Sequence, residues 1–188
     1  MERLAGLVSH LAPPALLVSL LLLGLPLRVP GVGWGYASLA LLFTTGQPWL
    51  ALLWARWKGR VSDLHVTRRE QRWPLLLFCL VLIVVGLGLL AWTGAPSAMV
   101  RQVLLVLAGL LVTGLVTLGW KISIHAAVAA FVFFTAGAGD VVGAHAAAAG
   151  LALVCWSRVK LSHHTPAQVA AGSLVGIVVS LAGWFLPA

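Results

Sequence analysis

Carboxylates are scarce in this sequence: four Asp and Glu stand against twelve Lys and Arg in 188 residues, and Asp63 has no second aspartate beside it. A divalent metal held by clustered Asp side chains, as in membrane CDP-alcohol phosphotransferases or prenyltransferases, has no donor set here. Cysteine is nearly absent too. Cys79 and Cys155 fall inside apolar runs with no CxxC spacing and no partner in a loop, so they read as small core hydrophobes and carry no redox message. Charge of either sign is rare, at 9% of residues, and the mean hydropathy is +1.05. Too few polar groups remain to cover a water-facing surface, which points to an integral membrane protein, a single domain over residues 1–188. The net charge of +8 does not imply nucleic acid. Six of the cations crowd between Arg56 and Arg72, most of the others flank apolar runs, and no soluble domain is left to present a binding face.

What the chain does have is long apolar runs. A helix crossing about 30 Å of hydrocarbon needs roughly 20 such residues. Residues 9–28, 34–55, 74–92, 102–120, 124–138, 141–156 and 166–187 predict an all-α polytopic transmembrane bundle of seven spans, or six if the first is peripheral or cleaved. The N-terminal run has some likeness to a signal peptide, but no convincing small-residue cleavage site follows, and it is kept as a span. Pro26 and Pro30 are expected to end the first span and Pro74 to open the third at the first helical position. Gly94 with Pro96 makes the turn into the fourth, and Asp140 caps the helix that follows it. Small residues are dense in HAAVAAF and GAHAAAAGLA, which lets helix backbones approach closely. Most tryptophans lie near span ends, where indole favours the interface.

Three polar islands interrupt these runs: SDLHVTRREQRW after the second, KISIH after the fourth and SRVKLSHHTPAQ after the sixth. An even number of crossings separates each pair, so all three belong on one side of the membrane. Arg69, Arg72, Lys121 and Arg158 make that side a place for an anion, three of them with guanidinium forks suited to phosphate oxygens. His125 and His164 have the chemistry for phosphoryl transfer, one neutral imidazole attacking phosphorus while the other, protonated, serves the leaving oxygen. Gln168 lies four residues past His164, and a helix started at Pro166 sets its amide oxygen to accept an imidazole N–H and fix the tautomer. Ser123, near a helix start, offers a hydroxyl and a backbone N–H to phosphate.

These residues carry a family resemblance. Ser157-Arg158-x5-His164-x3-Gln168 resembles the third signature of the phosphatidic-acid phosphatase type 2 superfamily, usually written SR-x5-H-x3-D. Ile122-Ser123-Ile124-His125 resembles its second, PSGH, keeping Ser and His. His65-x6-Arg72 with Pro74 resembles the first, K-x6-R-P, with His in place of Lys and Trp73 inserted. His164-Thr165-x2-Gln168 is similar to the HT-x2-Q version used by dolichyl diphosphate phosphatases. The three together cover about thirty residues.

The resemblance implies a membrane phosphatase acting on an isoprenoid diphosphate or related lipid phosphate. His164 would be the nucleophile forming a phosphohistidine and His125 the general acid. Arg72, Ser123 and Arg158 would hold the phosphate, with Arg69 or His65 in place of the family lysine. No metal or cofactor is expected, because the cations take that role. The alternatives are a glycerophospholipid phosphatase, acting on phosphatidate or phosphatidylglycerol phosphate, and a non-enzymatic transporter of anionic lipid. Ten Lys and Arg, including Arg3, fall on the island side, against Arg28 and Arg101 on the other. By the positive-inside rule the site faces the cytoplasm, in the cytoplasmic membrane.

Overall fold

The computed structural model describes residues 1–61 and 72–186, the side chains of Arg72 and Trp73 excepted. All regular structure among them is helical. In order the helices are α1 (Glu2–Leu11), α2 (Pro14–Leu23), α3 (Leu25–Arg28), α4 (Trp34–Leu41), α5 (Gln47–Trp57), α6 (Arg72–Trp92), α7 (Ser97–Gly119), α8 (Ile124–Gly137), α9 (Val141–Lys160) and α10 (Pro166–Ala182).

Among the described residues, three helices are individually long and apolar enough to cross a bilayer: Pro74–Trp92 within α6, α7 and α9, with 19, 23 and 20 residues. At 1.5 Å per residue they reach about 28 to 35 Å, against about 30 Å of hydrocarbon. The pair Glu2–Leu11 and Pro14–Arg28 makes a fourth if it is one bent span. The outward face of α6 is apolar, with Leu77, Val81, Val84 and Val85 all about half exposed or more, a surface suited to lipid rather than water.

The expected run 9–28 is not one straight helix. The chain is already helical from Glu2, breaks at Ala12 and Pro13, and bends by 43°. Pro13 and Pro14 cause this, since a proline disfavours helical dihedrals in the residue before it and Ala12 adopts φ −119°, ψ 49°. The run expected over 34–55 is helical from Trp34 through Trp57, but a π-helical turn at Leu42–Gly46 interrupts it. Pro48 cannot donate to the carbonyl four residues back and its ring crowds it. The Thr44 and Thr45 hydroxyls also bond back to Ala40 O and Leu41 O, at 2.8 and 3.1 Å. Pro74 sits at the third rather than the first position of α6, where its missing N–H is equally harmless, because the first four N–H groups of a helix have no intrahelical partner. α8, with 14 residues, and α10, with 17, are apolar but short, about 21 and 26 Å long.

The chain forms two compact units, one of Met1–Leu21 with the chain from Leu111 on, the other of Leu22–Leu110. In the second, α6 meets the π-turn so closely that a Cβ on Gly86 would lie 2.6 Å from Phe43 Cβ. At the end of α5, Lys58 lies over the Trp57 ring at 4.4 Å, and Arg60 over Trp54 at 4.9 Å. Such cation–indole pairs suit a membrane–water boundary.

The first unit holds α8 at its centre. α10 runs parallel to α8, with Ser123 and Ala127 against Gly172 and Gly176 at one end and Thr135 Oγ1 3.0 Å from Ser180 Oγ at the other. A Cβ on Gly172 would strike Ser123 O, and one on Gly176 would strike Ala127 O, so only glycine permits this approach. α9 runs antiparallel to both, entered through Gly139 at φ +144° and capped by Asp140, whose Oδ1 accepts from Gly143 N at 2.7 Å. α1 packs on α9.

Candidate functional site

The end of α9 shows how local structure brings the third island together. Lys160 is its last helical residue and Leu161 its cap. Ser162 then takes the left-handed conformation at φ 55°. Ser162 N donates to Val159 O at 2.9 Å and His163 N to Arg158 O at 3.2 Å, the paired bonds of a Schellman closure. His164 N adds a third bond, again to Arg158 O, at 3.3 Å. The five residues between Arg158 and His164 are therefore one helix-ending turn that carries His164 back onto Arg158.

Thr165 then caps α10. Its Oγ1 accepts from Gln168 N at 3.3 Å while Gln168 Oε1 accepts from Thr165 N at 3.2 Å, a complete capping box with Pro166 at the first helical position. The same Oε1 lies 3.2 Å from His164 Nδ1. An oxygen already accepting a backbone N–H accepts from the ring as well, so Nδ1 carries the proton and the neutral ring has its lone pair on Nε2. The side-chain pairing expected from the i, i+4 spacing is present, and Gln168 also caps the helix. Gln168→Ala is expected to remove about 1 kcal/mol of cap stabilisation and lower the Tm of the detergent-solubilised protein by about 2 to 4 °C, while Gln168→Glu, which keeps an acceptor, should lose less. An unchanged Tm in the alanine variant would mean the box contributes nothing.

The second island joins the third through the backbone. Ser123 N donates to Gln168 O at 3.1 Å, and Ser123 Oγ caps α8 by accepting from Ala126 N at 3.3 Å. His125, half-buried, is the second residue of α8, while His164 immediately precedes the cap of α10. Because the two helices are parallel and tied at these starts, both imidazoles lie at the same end of the unit. Lys121 joins them, its Nζ donating to His163 O at 3.4 Å. The two described carboxylates, Glu2 and Asp140, sit at the starts of α1 and α9, and the α9 start is the end away from the cluster.

Ser123 and Arg158 have partners that the sequence did not indicate. The Ser123 N–H, expected to be offered to phosphate, is taken by Gln168 O, and the residue is fully buried because α10 approaches at Gly172. Ser123 is a joint between α8 and α10. Arg158 is also buried, at 3% exposure, and its Nη1 donates to Ser9 Oγ at 2.6 Å. Beside it, Ser157 Oγ donates to Ala5 O at 2.8 Å. Ser9 and Ala5 were missed in the sequence. The available signal was the pair of small residues one turn apart on a helix otherwise lined by Leu4, Leu7 and Leu11, which are exposed. Arg72 begins α6 in the other unit and its side chain is outside the description. His65, Arg69 and Asp63 lie outside the described residues.

An apolar groove of about 510 Å³ opens between α9 and α10, lined by residues that include Trp156, Val159, Lys160, Pro166, Val169 and Ala170. It begins two residues from His164, and its apolar wall includes Lys160. No protein-family model, no curated protein and no solved structure matches the chain.

Proposed function

We propose that this chain is a membrane phosphatase that removes phosphate from a lipid phosphate, foremost an isoprenoid diphosphate, as its resemblance to the phosphatidic-acid phosphatase type 2 superfamily implies. One observation carries the reading: the Ser123–Gln168 backbone bond and the Schellman closure on Arg158 O bring His125, His164 and Arg158 to one end of one helical unit. Nothing about a membrane span alone requires these three to meet.

In the proposed reaction His164 Nε2 attacks phosphorus and the bond from phosphorus to the leaving oxygen breaks, that oxygen taking a proton from the His125 imidazolium. Water then gives its proton to the now neutral His125 and its oxygen attacks the phosphohistidine, breaking the N–P bond and releasing orthophosphate. Gln168 keeps the His164 proton on Nδ1 and so the lone pair on Nε2. Lys121 and the Arg158 guanidinium supply positive potential at this end of the unit. The groove between α9 and α10, apolar with Lys160 on its wall, suits an isoprenoid tail whose headgroup lies at the histidines.

In this reading the bent N-terminal pair, the Trp34–Trp57 run, α8 and α10 also cross, giving seven spans, or six if the N-terminal pair stays peripheral. α9 antiparallel to α8 and α10 supports the parity that puts the second and third islands on one side. The excess of Lys and Arg there favours the cytoplasmic face of the cytoplasmic membrane.

The test is phosphate release by the purified protein in detergent with EDTA, against farnesyl and longer polyprenyl diphosphates, phosphatidate and phosphatidylglycerol phosphate. Release from the isoprenoid diphosphates with the chelator present is expected. Strict dependence on added magnesium overturns the histidine mechanism, and release from none of them favours a transporter of anionic lipid. The same assay on sealed vesicles decides the face: farnesyl diphosphate added outside should be hydrolysed by inverted vesicles and spared by right-side-out ones.

A further inference from the structure

The end of α5 is closed by a second Schellman turn. Gly59 takes the left-handed position at φ +69°, its N donates to Arg56 O at 3.1 Å, and Arg60 N donates to Ala55 O at 2.9 Å. The turn folds the chain back along the helix it has just left, so the Arg60 guanidinium lies over Trp54, six residues earlier, while Lys58 lies over its neighbour Trp57. An indole face attracts a cation without neutralising it, and Lys58 and Arg60 both stay exposed, as does Arg56 beside them. No Asp or Glu occurs among the described residues of this unit, so three positive charges gather at one helix end with no described carboxylate of their unit to balance them.

Leu50, Leu53, Trp54 and Trp57 are spaced i, i+3, i+4 and i+7 and share one face of α5. All four are exposed, from 40% at Leu53 to 76% at Trp57, while Ala55 on another face is buried. Over about 10 Å this stripe passes from aliphatic to indole and ends in cations. That is the order of surroundings met on leaving a bilayer: acyl chain, interface, headgroup phosphate.

We propose that this end of α5 is a binding site for an anionic phospholipid, which sets its headgroup phosphate on Lys58 and Arg60 and lays an acyl chain along Leu50 and Leu53. Arg60 brings a planar fork to the phosphate oxygens and Lys58 a compact point charge. The Schellman turn and the two indoles hold both cations at one end of the apolar stripe. A zwitterionic headgroup brings a cation of its own against this cluster, whereas an anionic one brings net negative charge, so charge complementarity separates the two. The proposal stands apart from the phosphatase reading, because α5 belongs to the other unit from His125 and His164 and no catalytic step is involved.

The experiment titrates dioleoylphosphatidylglycerol or dioleoylphosphatidylcholine into the full-length protein in neutral detergent and reads apparent affinity from the rise in Tm. Phosphatidylglycerol should bind about tenfold more tightly at low salt, with the gap closing at about 0.5 M NaCl. Lys58→Gln/Arg60→Gln should remove most of that preference, and Lys58→Arg/Arg60→Lys, which keeps both charges, should retain it. Arg3→Gln/Arg28→Gln, losing the same charge elsewhere, should change the affinity less than about twofold. The preference should also survive His164→Ala, and its loss there would place the lipid at the histidines and overturn the proposal. A lower Tm for Lys58→Gln/Arg60→Gln with the lipid preference intact would make the turn a helix cap alone, and overturn it too. So would an equal loss in Arg3→Gln/Arg28→Gln, which would reduce the effect to net charge, or a stabilisation by inorganic phosphate equal to that by phosphatidylglycerol. Wild-type protein that binds the two lipids equally ends the proposal outright.

Discussion

In the proposed mechanism His164→Ala should lower phosphate release by at least about a thousandfold, because it removes the proposed nucleophile and leaves only bound phosphate and water. The fold should survive the change. His164 precedes the cap of α10 rather than belonging to it, and the Thr165–Gln168 box stays closed through its own two bonds. The variant should therefore keep a Tm close to that of the wild type, which separates lost chemistry from lost structure. Acid-labile, alkali-stable label from a phosphorus-labelled substrate should be trapped on the wild type and absent from the variant. His163→Ala is the control, since the backbone bonds of that residue, donating to Arg158 O and accepting from Lys121, do not depend on its side chain. A His164→Ala protein that releases phosphate at the wild-type rate would end the mechanism.

The largest structural effect belongs to Gly176→Leu. A Cβ at that position would strike Ala127 O and lie 2.7 Å from Ala130 Cβ and 2.8 Å from Phe131 N, mostly backbone that cannot swing aside. α8 and α10 would have to separate, and their close contact is what aligns the starts carrying His125 and His164. A loss of at least about 3 kcal/mol is expected, roughly a 10 °C fall in Tm or failure to purify as a single species. Phosphate release should fall with it. Gly88→Leu on α6, where nothing lies within 4 Å of the added Cβ, should leave Tm within about 2 °C. If Gly176→Leu were equally silent, α8 and α10 would not be packed as described and the meeting of the second and third islands would fail with them.

How far each feature could be read in advance follows the range of the forces behind it. The runs expected at 74–92, 102–120 and 141–156 appear as Arg72–Trp92, Ser97–Gly119 and Val141–Lys160, displaced by at most five residues at an end. The Asp140 cap and the His164–Gln168 pair were equally legible, since both are contacts within one turn. The break at Ala12 was readable in Pro13 and Pro14 but was passed over in favour of hydropathy, which averages across a bend. The π-turn had a signal in Pro48 that the same averaging hid.

By itself the sequence determined the solvent of this protein, its helical class and the chemistry available at each island, because apolar length, proline and glycine placement and i, i+4 spacing act through neighbours along the chain. The tertiary structure alone decided what those groups are joined to. Gly172 and Gly176 let α10 close on α8, which buries Ser123 in a backbone joint. α1 comes to lie against α9, which sets Arg158 on Ser9. Contacts across some 150 residues depend on which surfaces fit when helices pack, and no local pattern encodes that fit.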